Sequence, residues 1–188
     1  TPSGTTKRAA KPTNPRRRIS EQESRILFAE WLEEGGFHYS VETPTMNTYS
    51  QSGDRWISAR TDLSVHDLTH SCYDTRVLNI ELKAGKPPLN SFAKDFEKQL
   101  VEGVPALWFH TLKVDDADWS WFHARILDAL NLAVRKIKER KPGHEILWGR
   151  TRWMHFAFCV LENKKLERSF TLEFESDWQD QLRRGFQL

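Results

Sequence analysis

Between Thr75 and Gly85 the chain reads TRVLNIELKAG, and this run constrains the fold more than any other. Alternate side chains on a β-strand point the same way, so Ile80, Leu82 and Ala84 share one face while Glu81 and Lys83 share the other. A strand whose one face is made for burial carries a carboxylate and an ammonium on the opposite face. Burying an unpaired charge is costly. The pair therefore marks either an ion pair on an edge strand or a site built around charge.

The preceding run WISARTDLSVHDLT predicts a neighbouring strand. Ala59, Thr61, Leu63 and Val65 fall on one face, and Arg60, Asp62, Ser64 and His66 on the other. A hairpin through HSCYD would set the two strands side by side. Asp62 and Glu81 then converge from adjacent strands, and two carboxylates so placed suit a hard divalent cation. Mg²⁺ prefers oxygen ligands and is bound through one or two carboxylates while keeping several waters. Such an ion polarises a phosphoryl oxygen and makes a bound water more acidic. Lys83, two places past Glu81, is set to orient that water or to neutralise charge developing on a phosphate.

The other elements follow from punctuation and periodicity. ISEQESRILFAEWLEEGGF reads as a helix, with Ser20 and Glu23 in capping-box spacing and Gly35–Gly36 as the stop. HYSVETPT predicts a short strand, followed by a polar loop from Met46 to Asp54. KPPLNSFAKDFEKQLVEG predicts a Pro-marked entry, a helix from about Asn90 and a stop at Gly103. Phe92, Phe96 and Gln99 form one stripe of it, Lys94 and Lys98 another. PALWFHTLKV is a strand, DADWSWFHARILDALNLAVRKIKERKPG the longest helix, and the segment from Arg152 to Phe174 two strands joined at ENKK. The order α-β-β-β-α-β-α-β-β predicts an α/β fold, a mixed sheet flanked by helices.

Length and composition set limits. A chain of 188 residues suits one domain, and 38% hydrophobic with 12% aromatic content suits a folded one. No run approaches a membrane span, no secretory leader is evident, and Cys72 and Cys159 form no CxxC pair. These features point to a reducing, intracellular compartment, cytoplasmic or nuclear, with no membrane partner. Residues 1–18 hold Lys7, Arg8, Lys11, Arg16, Arg17 and Arg18 and no acid, whereas residues 19–188 hold 22 basic and 26 acidic side chains. The division expected is a flexible basic arm over 1–18 and a single domain over 19–188. Arg16, Arg17 and Arg18 are the arm's candidates for nucleic-acid phosphates.

TDLSV followed by IELK resembles the signature of the PD-(D/E)xK nuclease superfamily. Asp62 falls at its aspartate, Glu81 at its acid and Lys83 at its lysine, with Thr61 where the name-giving proline would stand. The resemblance spans about residues 19–112. It implies a restriction-endonuclease-like core, a central mixed four-stranded sheet flanked by helices, with an added C-terminal helix and β-hairpin. It also implies Mg²⁺-dependent phosphodiester hydrolysis, with Mn²⁺ able to substitute. Asp62, Glu81 and the backbone carbonyl of Leu82 would hold the ion. A first-helix glutamate completes such sites, Glu30 by preference and Glu23 second. Gln99 matches a glutamine that some branches carry, although Gly103 stands where those branches place a tyrosine. Lys94 and Lys98 would lean toward the substrate backbone. DNA is the expected nucleic acid on the superfamily's habits alone, and cutting both strands of a duplex calls for a homodimer or larger assembly.

Competing patterns have less behind them. His66, His70 and Cys72 lack the paired cysteines of a closed zinc site and fit a hairpin turn. His110, His123 and His155 lie among aromatics and read as core. Trp108, Trp121 and Trp153 also read as core, while Trp56 in a polar stretch is placed to stack on a base. The alternative function is a binding or interaction module on the same fold without catalysis, with Asp62 and Glu81 purely structural.

Overall fold

A computed structural model of the chain describes residues 20–50, 56–69, 75–113, 116–139, 151, 153–160, 165–174 and 177–186. The basic arm, including Arg16, Arg17 and Arg18, lies outside the described residues, as do His70, Cys72 and the side chain of Trp56. The elements run α1 (Glu21–Glu34), β1 (His38–Ser50), β2 (Trp56–His66), β3 (Arg76–Ala84), α2 (Leu89–Glu102), β4 (Ala106–Leu112), α3 (Trp119–Glu139), β5 (Trp153–Val160), β6 (Lys165–Glu173) and α4 (Trp178–Phe186).

The six strands form one mixed sheet in chain order, β1-β2-β3-β4-β5-β6, rather than a four-stranded sheet with a separate hairpin. β1, β2 and β3 are antiparallel neighbours, β3, β4 and β5 are parallel, and β6 returns antiparallel to β5. Parallel neighbours need crossovers, and α2 and α3 supply them. Two successive crossovers in the same direction put both helices on one face of the sheet. There Trp108, Met154, Phe156 and Phe158 pack with Phe92, Phe96, Phe122, Ile126 and Phe186. The alternate residues of the strands face the other way, where Leu63, Val65, Ile80 and Leu82 pack with Leu32, Phe28 and Phe109 under α1. The described part is thus an α/β sandwich, with α1 on one side of the sheet and α2 and α3 on the other.

Both helix signals near the site hold. Ser20 Oγ accepts from Glu23 N at 3.2 Å while Glu23 Oε2 accepts from Ser20 N at 2.9 Å, which closes the capping box on α1. α2 ends at Gly103 in the left-handed region, φ 71°, where only glycine is unstrained. Three expectations are corrected. β1 continues to Ser50 instead of giving way to a loop at Met46. The strand bulges between Pro44 and Thr48, and the buried Glu102 carboxylate at the end of α2 ties the bulge down. It accepts from Met46 N at 2.7 Å, Asn47 N at 3.1 Å and Tyr49 Oη at 2.8 Å. A helix follows β6, since α4 lays Gly185 against the Phe170 ring where no side chain would fit. Trp153 is 37% exposed rather than core, because its strand parity puts it on the sheet face away from α2 and α3.

Candidate active site

The ladder between β2 and β3 runs through Val65↔Leu78, Ser64↔Asn79 and Leu63↔Ile80 and then stops. Beyond it β2 continues beside β1 and β3 continues beside β4, so the two central strands part. The next step of the register is Asp62 and Glu81. Backbone groups at the parting lose their ladder partners and are satisfied by side chains instead. Asp62 Oδ2 accepts from Leu82 N at 2.9 Å, and Lys98 Nζ donates to the Arg60 carbonyl at 2.8 Å. Asp62, Glu81 and Lys83 therefore gather where the sheet opens, the convergence that the strand alternation predicts.

Two helices complete the cluster. From α2, Lys98 Nζ lies 2.6 Å from Glu81 Oε1 and 3.0 Å from Asp95 Oδ1. Asp95 Oδ2 lies 3.0 Å from Lys83 Nζ, so Asp95 bridges the two ammoniums. Lys83 Nζ is also 3.9 Å from Glu81 Oε2 and 3.6 Å from Glu21 Oε1 of α1. From α1, Arg25 Nη2 donates to Asp62 Oδ1 at 2.6 Å, and Nη1 pairs with the Glu42 carboxylate of β1. Glu81 is 1% exposed, and Lys83, Lys98 and Asp95 are buried beside it.

This packing moves the proton affinities. Burial, then the Asp95 carboxylate and, more weakly, Asp62, push the Glu81 carboxyl well above the usual carboxylate range, with Lys98 and Lys83 pulling against them. Burial alone would lower Lys83, but Asp95, Glu81 and Glu21 outweigh it and hold the ammonium above the ordinary lysine range. Lys98 is raised in the same way by Glu81 and Asp95, against the opposing effect of burial. Burial also raises Glu21, partly offset by Lys83. Lys83 is accordingly a persistent cation that donates hydrogen bonds and does not accept a proton at neutral pH.

The structure separates the helix residues that the sequence singled out. Glu23 is held in the capping box and Glu30 is exposed. At 100° per residue, Glu23 sits 200° and Glu30 180° around the helix from Glu21, which is the glutamate that reaches Lys83. Glu21 heads the stripe that faces inward, Glu21, Arg25, Phe28 and Leu32, at i, i+4, i+7 and i+11, a stripe that the exposed apolar Ile26, Leu27 and Trp31 hide in the sequence. On α2, Lys94 is exposed while Lys98 is buried, so the two lysines do not act as one basic stripe. The Lys98 ammonium is engaged by three protein oxygens rather than presented to a substrate backbone. Gln99 is buried, its carbonyl accepts from Thr151 Oγ1 at 2.9 Å, and its side-chain amide has no hydrogen-bond partner among the described residues. Asp95 and Arg25 carried no signal, because only the packed helices bring them to the strands.

Of the three histidines read as core, His110 is buried, whereas His123 and His155 are only half-buried, His155 on the same open sheet face as Trp153. His66 Nε2 meets Ser40 Oγ at 2.8 Å, and among the described residues no three His, Cys, Asp or Glu side chains are grouped to hold a metal ion. His110 is fully buried between Phe92, Phe122 and Phe158. Its Nε2 is 2.7 Å from the Gly85 carbonyl, two residues past Lys83, so His110 fixes the end of β3. No helix among the described residues is long and apolar enough to cross a membrane. No protein-family model, curated protein or solved structure matches the chain.

Proposed function

We propose that this chain is a metal-dependent nuclease of the PD-(D/E)xK kind that hydrolyses phosphodiester bonds, with DNA as the preferred nucleic acid. Its restriction-endonuclease-like core would be α1, β1–β4 and α2, with the later elements built onto it. The observation that carries the reading is the meeting of Asp62, Glu81 and Lys83 at the point where β2 and β3 part.

The donor set fits a hard divalent cation. Burial and the neighbouring Asp95 and Asp62 carboxylates disfavour the Glu81 anion, and a divalent ion bound there would favour it. Asp62 and Glu81, with the Leu82 carbonyl, are the residues that would hold Mg²⁺ or Mn²⁺. Once bound, the ion supplies polarisation of the scissile phosphate and a more acidic water. The rest of the work falls to side chains. Lys83, kept charged and aimed by Asp95, donates to a phosphate oxygen and stabilises the charge that develops there. Glu21, which lies 3.6 Å from Lys83 and whose carboxyl burial makes a stronger base, takes the proton of the attacking water. Exposed Lys94 and the basic arm with Arg16, Arg17 and Arg18 hold the substrate backbone by charge, so binding weakens as salt rises.

One observation favours the binding module instead: Asp62 and Glu81 already have cationic partners in Arg25 and Lys98. The test that separates the two is cleavage of duplex DNA, single-stranded DNA and RNA by wild type and Lys83→Ala, with Mg²⁺, Mn²⁺ or EDTA. Cutting that requires the metal and is lost in the variant supports the nuclease. Metal-independent retention of nucleic acid without cutting supports the module.

A further inference from the structure

We propose that Arg25 is a phosphate-binding residue held on Asp62, and that it yields Asp62 Oδ1 to the divalent cation and turns to the substrate phosphate. The inference rests on the metal-dependent reading above.

Asp62 has one oxygen committed and one contested. Oδ2 accepts from Leu82 N at 2.9 Å, while Oδ1 is held by Arg25 Nη2 at 2.6 Å. A cation that binds Asp62 through Oδ1 competes directly with the guanidinium. Arg25 has somewhere to remain, because Nη1 is paired independently with Glu42. That anchor is unusual: Glu42 adopts a left-handed backbone, φ 54°, a conformation costly for a residue with a Cβ. Its place in the register, between Val41↔Leu63 and Thr43↔Thr61, is opposite Asp62, and its carbonyl is held by Arg60 Nη1 at 3.0 Å.

The third feature is the donor that Arg25 does not use. Its Nε is buried and has no hydrogen-bond partner among the described residues. A buried donor left unmatched is costly, and structural arginines usually engage it. Nε and Nη2 form one edge of the guanidinium, the fork that accepts two phosphate oxygens side by side. With Nη2 released from Asp62 and Nη1 still on Glu42, that edge is complete. Metal binding and phosphate binding then favour each other through one side chain.

The test uses the full chain, with Mn²⁺ titrated by the loss of its free EPR signal and with a fluorescein-labelled duplex titrated with and without Ca²⁺. Wild type, Arg25→Met and Asp62→Asn are compared, with circular dichroism as the check on folding. Removing the competitor is expected to tighten Mn²⁺ binding about tenfold, since a charge-assisted hydrogen bond is worth at least that factor. Arg25→Met is also expected to lose most of the gain in duplex affinity that Ca²⁺ gives the wild type. Equal or weaker Mn²⁺ binding by Arg25→Met, or an undiminished Ca²⁺-dependent gain, overturns the proposal. If Asp62→Asn binds Mn²⁺ as well as the wild type does, the metal-dependent reading itself fails, a result distinct from an inert Arg25. Should Arg25→Met not fold, Arg25→Gln, which keeps a polar contact without the charge, is read by the same two criteria.

Discussion

His110 makes the protein acid-labile by an amount that can be worked out. The imidazole is fully buried among aromatic rings, with one nitrogen on the Gly85 carbonyl and the other 3.4 Å from Trp108 Nε1, so it is neutral with Nε2–H donating. Burial, aided by the Lys83 charge and opposed by the Gly85 hydrogen bond, pushes its pKa from 6.5 down to about 3. The unfolded chain then binds a proton more readily than the folded one. The stabilisation is complete above pH 6.5 and is lost as the pH falls from there toward 3. A tenfold change in proton affinity corresponds to about 1.4 kcal/mol, so the whole effect is roughly 5 kcal/mol, of which about 2.5 kcal/mol is lost between pH 7 and 4.5. Urea unfolding of wild type and His110→Gln at pH 7, 5.5 and 4.5 isolates it. Titrations shared by the two proteins, such as those of His123 and Glu21, cancel in the difference. The variant should start less stable, having lost ring packing, and then lose about 2.5 kcal/mol less than the wild type on acidification. Parallel losses in the two proteins would refute the argument that this buried imidazole stays neutral.

Three further outcomes follow from the same contacts. Glu21→Gln should lower cleavage about a hundredfold, the lower end for loss of a general base, while Glu30→Gln stays within about twofold; equal effects would return the role to the far face of α1. Glu102→Ala strips five donors, including Arg76, of their acceptor. It should cost about 3 kcal/mol or more in a urea titration, with β1 loosening first by hydrogen exchange. Lys98→Met takes the 2.6 Å partner from buried Glu81 and leaves Asp95 with Lys83 alone, a loss of about 3 kcal/mol at neutral pH in EDTA. Mg²⁺ should raise its thermal midpoint more than that of the wild type, and an equal rise would argue against a cation at Glu81.

Where local chemistry decides the structure, the sequence was sufficient. The Ser20–Glu23 box, the Gly103 stop and the alternation that sets Glu81 and Lys83 on one face depend on residues a few places apart. They appear in the fold as expected. The convergence of Asp62 with Glu81 needed only one hairpin. What stayed hidden depends on distant packing. The first helix carries apolar residues around most of its circumference, and Ile26, Leu27 and Trp31 remain exposed, so periodicity did not single out the face that brings Glu21 and Arg25 inward. Lys94 and Lys98 are alike in sequence, and only the carboxylates awaiting Lys98 distinguish them. The extension of β1 rests on Glu102, more than fifty residues away in the chain.

The most direct test of the account is the dependence of DNA cleavage on divalent cation and on Lys83 together. The wild type should cut with Mg²⁺ or Mn²⁺ and not with EDTA, and Lys83→Ala should bind the same duplex while cutting at least about a hundredfold more slowly. Undiminished cutting by a folded Lys83→Ala, or cutting that persists in EDTA, would contradict the assignment of Asp62, Glu81 and Lys83 as the catalytic centre.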